Sequence, residues 1–241
     1  MQKMLTGIVL SVVKLADKKI ICKLYTKESG LRSYLSTVSN SSKSKIKPAQ
    51  LLPLNQVEII VSERENRELG RMSEMRCTSL YTQLHLDMKK MSIVAFITEL
   101  LNKCLKEAES NPELFHFITQ AMNKLDLETD NFSDFHLVFM LEISKYLGFF
   151  PNNNYSKEEQ IFDLMNGAFV ACIPSHPHFL KGEEARAISE LIKSSEAQGI
   201  IRIDGSSQRR NTLHTLVNYY KLHVPGFGEL KTISVLRDTL A

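Results

Sequence analysis

Apolar positions change their spacing once along this chain, near residue 80. Before that point they alternate or run in short blocks bounded by turn residues. Residues 5–15 are rich in Val, Ile and Leu, and Ala16-Asp17-Lys18-Lys19 makes a turn. In residues 20–25, Ile21, Lys23 and Tyr25 alternate with Cys22 and Leu24, as in a half-buried strand. Glu28-Ser29-Gly30 interrupts, with Gly30 able to supply a positive φ. Further strands are expected over 31–38, 53–61 and 69–77, separated by a Ser/Lys-rich loop at 40–47 and a turn at Glu63-Arg64-Glu65-Asn66.

After residue 80 the period becomes helical. Met91, Val94, Ile97, Leu101, Cys104 and Ala108 recur at steps of three or four. Asn111-Pro112 reads as a helix cap followed by a first-turn proline, with Leu114, Phe117, Ile118, Ala121, Met122 and Leu125 on one face. Residues 135–147 are apolar nearly all round and are expected as a central buried helix, closed by Gly148 and Pro151. Ser156 and Glu159 form a capping-box pattern for a next helix. Others are expected over 183–197, 209–223 and 229–240. The fold class is therefore α+β. A five-stranded antiparallel barrel of OB type over residues 1–79 is followed by an all-helical domain over 80–241.

Charge separates the halves. Residues 1–80 hold 14 Lys+Arg against 7 Asp+Glu, whereas the remaining 161 hold 16 against 20. The basic half is the part expected to meet a polyanion. Lys43, Lys45 and Lys47 alternate with small residues in the loop. Arg32 precedes them, and Lys14, Lys18, Lys19 and Lys23 flank the first turn. Flexible ammonium groups on loops suit phosphates, because each released counterion adds sequence-independent affinity. Tyr25 and Tyr34 could stack on bases; the plainer reading is a solvated loop and core-facing tyrosines. Arg209 and Arg210, at an expected helix start, could grip phosphates or a partner's carboxylates.

Other chemistry finds little support. The chain has no GxSxG, Walker, GxGxxG or HExxH pattern. Asp126, Glu128, Asp130 and Asp134 could serve a metal-dependent nuclease, though acids at a helix start also favour its dipole. Cys172, His176 and His178 have zinc-ligand types but no evident fourth ligand. The four cysteines are scattered, without a CxxC pair, so neither zinc nor a disulfide framework is expected. No apolar run approaches the roughly 18 residues of a spanning helix, and the opening residues read as a strand and not a signal peptide. A cytoplasmic protein is expected.

Four segments carry a family resemblance. They are TGIVLSVVKLADKKIICKLYTKESGLRSYL, KSKIKPAQLLPLNQVEIIV, FHLVFMLEISKYLGFFP and YYKLHVPGFGELKTISVL. In that order they resemble the RecO family of bacterial recombination mediators. Tyr219, Tyr220, His223, Phe227 and Lys231 stand at the places of the family's C-terminal signature. The resemblance implies a DNA repair protein of the RecF pathway that binds single- and double-stranded DNA and anneals complementary strands. It implies partnership with RecR, and in some lineages RecF, in loading RecA onto DNA coated by single-strand-binding protein. It also implies docking of that protein's acidic C-terminal tail on the helical domain, with no nucleotide hydrolysis and no cofactor. A groove beside the 135–147 helix, with Phe135, Phe139 and Tyr146 as candidate lining, is the expected place. Some family members carry four zinc-binding cysteines that this chain lacks. Acids also stand where basic tail contacts would be, so Arg209, Arg210 or Lys145 must supply that charge. An OB-fold adaptor that binds protein and not DNA, and a nuclease, are the competing classes.

Overall fold

The structure is a computed structural model that describes residues 2–63, 69–106, 109–130, 132–196, 203 and 205–240. The expected turn at Arg64–Asn66, the face position Ala108 and the helix end at Ala197 lie outside the described residues.

The chain begins with five strands, β1 (Gln2–Lys14), β2 (Lys19–Thr26), β3 (Gly30–Thr37), β4 (Gln56–Ser62) and β5 (Leu69–Cys77). They close into a barrel in the order β1-β2-β3-β5-β4. Alternation fills its interior: Leu5 and Val9, Ile20, Cys22 and Leu24, Tyr34, Val57, Ile59 and Val61 meet in one cluster. One seam departs from the all-antiparallel expectation, since β3 runs parallel to β5 over Ser33–Leu35. The reason is topological. Five strands in a ring cannot all oppose their neighbours, so an odd-numbered barrel needs a parallel seam. Gly30 has φ of 64° at the β2–β3 turn, as its sequence position predicts.

Packing groups this barrel with the first two helices, α1 (Met88–Cys104) and α2 (Pro112–Leu127), in one compact unit, Met1–Leu127. Asn102 donates to the Leu10 carbonyl at 3.0 Å. Gln56 donates to Tyr81 Oη at 2.7 Å and to Asn123 Oδ1 at 3.0 Å. The Asn111 cap forms as expected, its Oδ1 accepting from the Leu114 amide at 2.9 Å.

The second unit, Glu128–Ala241, is built on α3 (Phe135–Tyr146). This helix buries Leu137, Phe139, Met140, Leu141 and Ile143 and ends at Gly148, φ 83°. There the Phe149 amide reaches back to the Ser144 carbonyl at 3.0 Å and the Gly148 amide to that of Lys145, the paired bonds of a Schellman end. The helix expected after Ser156 is absent. Glu159 does donate its amide to Ser156 Oγ at 3.0 Å, but the chain then enters a small sheet: β6 (Ile161–Asp163), β7 (Ala168–Val170) and β8 (Phe179–Leu180). Asp163 accepts from the Met165 amide at 2.8 Å, and Gly167, φ 63°, completes the hairpin. The all-helical expectation for this half is corrected to helices plus this sheet. Three helices follow, α4 (Glu183–Glu196), α5 (Ser206–His223) and α6 (Ile233–Leu240).

Candidate nucleic-acid interface

The β1–β2 hairpin and the Ser/Lys loop meet at one end of the barrel. The Val38 amide, one residue past β3, donates to the Lys18 carbonyl at 2.8 Å. The loop then leaves and returns through a bond from the Ser39 amide to the Ile46 carbonyl at 3.2 Å. Ile46, 2 % exposed, plugs into the barrel core, and the Met75 amide on β5 donates to Lys45 O. An apolar anchor and backbone bonds therefore hold the loop while Lys43, Lys45 and Lys47 stay exposed. Lys14, Lys18 and Lys19 on the hairpin are exposed as well.

The loop is less uniformly cationic than its own sequence suggests, because Glu74 on β5 pairs with Lys45. Residues 31–57 contain no Asp or Glu, so their own sequence predicts an unneutralised loop; the acid arrives instead from a strand 29 positions away.

Register decides which strand cations share a face. Residues directly opposite on neighbouring strands project to the same side. Arg32 stands opposite Leu24, a fully buried core residue, so it lies on the interior side of the sheet, beside Tyr34. It is also five residues from Thr37, about 17 Å along the strand. Lys23 stands opposite Ser11 and Ser33, on the outer face. It is half-buried, and burial holds its ammonium below the usual lysine range. The structure thus unites Lys14, Lys18, Lys19 and the loop lysines but leaves Arg32 apart. Arg71, exposed on β5 opposite Leu35, joins the outer face; its strand was expected, and the arginine within it was passed over.

The tyrosines take the plainer role. Tyr34 is 1 % exposed and donates to Glu63 Oε1 at 2.9 Å. Tyr25 is 3 % exposed and stacks on Phe115 of α2, centroids 6.3 Å apart. Neither is open to a base.

In the second unit, Arg209 Nε donates to Asp134 Oδ1 at 2.5 Å, and its Nη1 to the Leu240 carbonyl at 3.4 Å. The Asp134 side chain is 7 % exposed, so Arg209 is committed to an internal pair, whereas Arg210 stays exposed. Both line an open pocket of about 270 Å³. Leu213, Val217, Ile233, Leu236 and Leu240 give it an apolar lining, with exposed cations at Arg210, Lys221 and Arg237. Lys221 is met by Glu229 at 2.6 Å. His136, from α3, also lines it; burial, then the Arg209 cation, pushes its imidazole down to about 3. Phe135, Phe139 and Tyr146 are not among the residues lining this pocket. Phe139 is 2 % exposed, and Phe135 stacks on it at 6.4 Å. Lys145 pairs with Glu142 at 2.9 Å and lies 4.6 Å over the Phe150 ring.

Two of the four acids expected as a group, Asp126 and Asp134, take structural roles. Asp126, 6 % exposed, accepts from the amides of Thr82, Gln83 and Leu84 at 2.7–2.9 Å. Burial alone would raise its carboxyl; these bonds outweigh it and hold the group below the usual carboxylate range. His176 Nε2 lies 3.4 Å from Asp163 Oδ1, and Cys172 is exposed. Among the described residues no group of three or more His, Cys, Asp or Glu is placed to hold a metal ion. Among them too, no helix is long and apolar enough to cross a membrane.

Three of the signature residues near the C-terminus tie elements of the second unit together. Tyr219 donates to the Phe149 carbonyl at 2.7 Å, Tyr220 donates to that of Met140, and His223 Nε2 lies 2.9 Å from the Leu164 carbonyl oxygen. Phe149 stacks on His223 and meets Tyr220 edge-on.

Comparison with known proteins agrees with this architecture. The model described as recombination protein O N terminal matches residues 1–81, and that described as recombination protein O C terminal matches residues 85–226. The chain is 34 % identical to the DNA repair protein RecO of Phocaeicola vulgatus over 96 % of both chains. It is 31 % identical to that of Bacteroides fragilis over 96 % of both, and 32 % identical to that of Flavobacterium psychrophilum over the full length of both. With both halves matched in order and the barrel closed as described, the chain belongs to the recombination protein O family of DNA repair proteins.

Proposed function

We propose that this protein is a non-enzymatic DNA-binding recombination mediator whose barrel end, at the β1–β2 hairpin and the 39–47 loop, tracks the phosphate backbone. It anneals complementary strands and, with RecR, helps load RecA onto DNA coated by single-strand-binding protein. The functional division follows residues 1–79, the DNA-binding barrel, and 80–241, the partner-binding part. It works in the cytoplasm, at the nucleoid.

One observation carries the reading. β1, β2 and β3 contain no Asp or Glu, and the 2.8 Å bond from Val38 to Lys18 gathers their exposed lysines with those of the loop. Such a cluster releases counterions from a polyanion, and OB barrels use this hairpin loop for oligonucleotides. The pocket beside α5 and α6, apolar within and cationic at its edge, suits the acidic-hydrophobic tail of single-strand-binding protein. Its charge comes from Arg210 and Arg237, with Arg209 holding the wall.

Filter binding of a labelled oligonucleotide at two salt concentrations, with annealing of complementary strands followed in parallel, tests the proposal. Salt-sensitive binding and faster annealing are expected. Cleavage of the oligonucleotide with magnesium or manganese would assign a nuclease instead, and absence of binding a protein adaptor.

A further inference from the structure

The outer face of the barrel carries an apolar row that the charge argument leaves unused. Val13 stands opposite Ile21, Ile21 opposite Leu35, and Leu35 opposite Arg71. Ile20, Cys22 and Leu24 supply the core from β2, so Ile21 and its row project outward. Val13 is 55 % exposed and Ile21 and Leu35 are half-buried. The hairpin continues from Val13 to Leu15, also 55 % exposed. Lys19, opposite Thr37, borders the row on one side, and Lys23, between Ser11 and Ser33, on the other.

A single exposed valine needs no explanation. A row of apolar side chains three strands wide, bordered by lysines and closed by an arginine, is a more specific surface. The absence of acids from all three strands makes it complementary to a polyanion that also has apolar surface to bury. An unpaired nucleic-acid strand has that chemistry, since its bases can turn toward the row while its phosphates reach Lys19 and Lys23. In a duplex the base faces are stacked inward, and only phosphate and sugar would meet the strip.

We infer that the Val13–Ile21–Leu35 row is a base-contact strip that favours unpaired strands over duplex. It rests on the DNA-binding reading above and adds a component to it that salt does not screen.

The test uses the full chain, a dye-labelled oligothymidylate and a duplex of equal length, with anisotropy measured at several salt concentrations. Val13→Ser alone and Val13→Ser with Leu15→Ser alter exposed positions, and far-UV circular dichroism checks that the fold persists. The double variant should bind the single strand about tenfold more weakly, the scale of losing one buried aliphatic contact. Its salt slope should be unchanged and its duplex affinity should stay within about twofold. Lys19→Ala should do the opposite, flattening the single-strand slope by about 0.7. Equal weakening on single strand and duplex, or no weakening on either, overturns the strip and leaves the DNA-binding reading standing. Polyglutamate bound more tightly than oligothymidylate, with the same dependence on Val13, would assign the strip to an acidic protein and also overturn it. Binding of neither DNA by the unaltered chain would remove the DNA-binding reading itself.

Discussion

The Glu74 carboxylate on β5 pairs with the ammonium of Lys45, taking one of the three loop lysines partly out of service as a phosphate contact. Both partners are well exposed, so the pair adds little stability, yet it lowers the number of counterions the loop can release. Replacing Lys43 and Lys47 together with Ala should flatten the single-strand salt slope by about 1.4. Adding Lys45→Ala should cost less than a third contact. Glu74→Gln should steepen the slope by up to about 0.7 by freeing Lys45. A Glu74→Gln protein with the parent slope would show that Lys45 never reaches DNA.

Asp126 fixes the acid stability of the first unit. Its folded-state pKa is depressed by the three amides it accepts from. The stability it contributes is present above its unfolded pKa of about 3.9 and is lost as pH falls through the folded value. Asp126→Asn should destabilise residues 1–127 by about 2 kcal/mol at neutral pH and flatten the decline in melting temperature below about pH 4. Equal melting of variant and parent at pH 7 would contradict this role.

Gly30 is required twice over. Its φ of 64° is one that side chains rarely adopt, and a Cβ there would lie 2.2 Å from the carbonyl oxygen of Glu109. Gly30→Ala should cost about 3 kcal/mol, from the strained φ and the backbone clash together. Chemical denaturation reads it; a loss under about 1 kcal/mol would mean the turn relaxes freely.

The pocket beside α5 and α6 should bind a short acidic peptide with an apolar C-terminus at micromolar strength, about 8 kcal/mol. Arg210→Glu and Arg237→Glu should each weaken it about tenfold, by setting a like charge against the acidic peptide at the pocket's exposed edge. Arg209 is the wrong residue to test, because its removal strands the buried Asp134 carboxylate at a cost of about 3 kcal/mol. A titration without heat at high peptide concentration would contradict the assignment.

The barrel was legible in the sequence because two-residue alternation directly encodes which face is buried, as in Cys22 and Leu24 against Lys23. The buried α3 was legible from its apolar circumference. The β6–β8 sheet was not, since strands of two or three residues are too short to display a period, and Ser156–Glu159 mimics a helix start. Local reading put the hairpin and loop lysines in exposed turns, where they stand, but could not see Glu74 reaching Lys45, or Asp134 claiming Arg209 from 75 positions away. Tyr25 shows the same limit: its outward parity is readable, while Phe115, which covers it, comes from a distant helix. Arg32 was separable in principle, because it shares parity with Tyr34 and the core.

The central claim, that the hairpin and loop lysines form a phosphate-tracking surface, is tested most directly by the salt dependence of single-strand affinity in a Lys18→Ala, Lys19→Ala, Lys43→Ala protein. Three lost contacts should flatten the slope by about two units and weaken binding to all sequences alike, with stability nearly unchanged. A triple variant that keeps the parent's slope and affinity would contradict the account and move the DNA site off this end of the barrel.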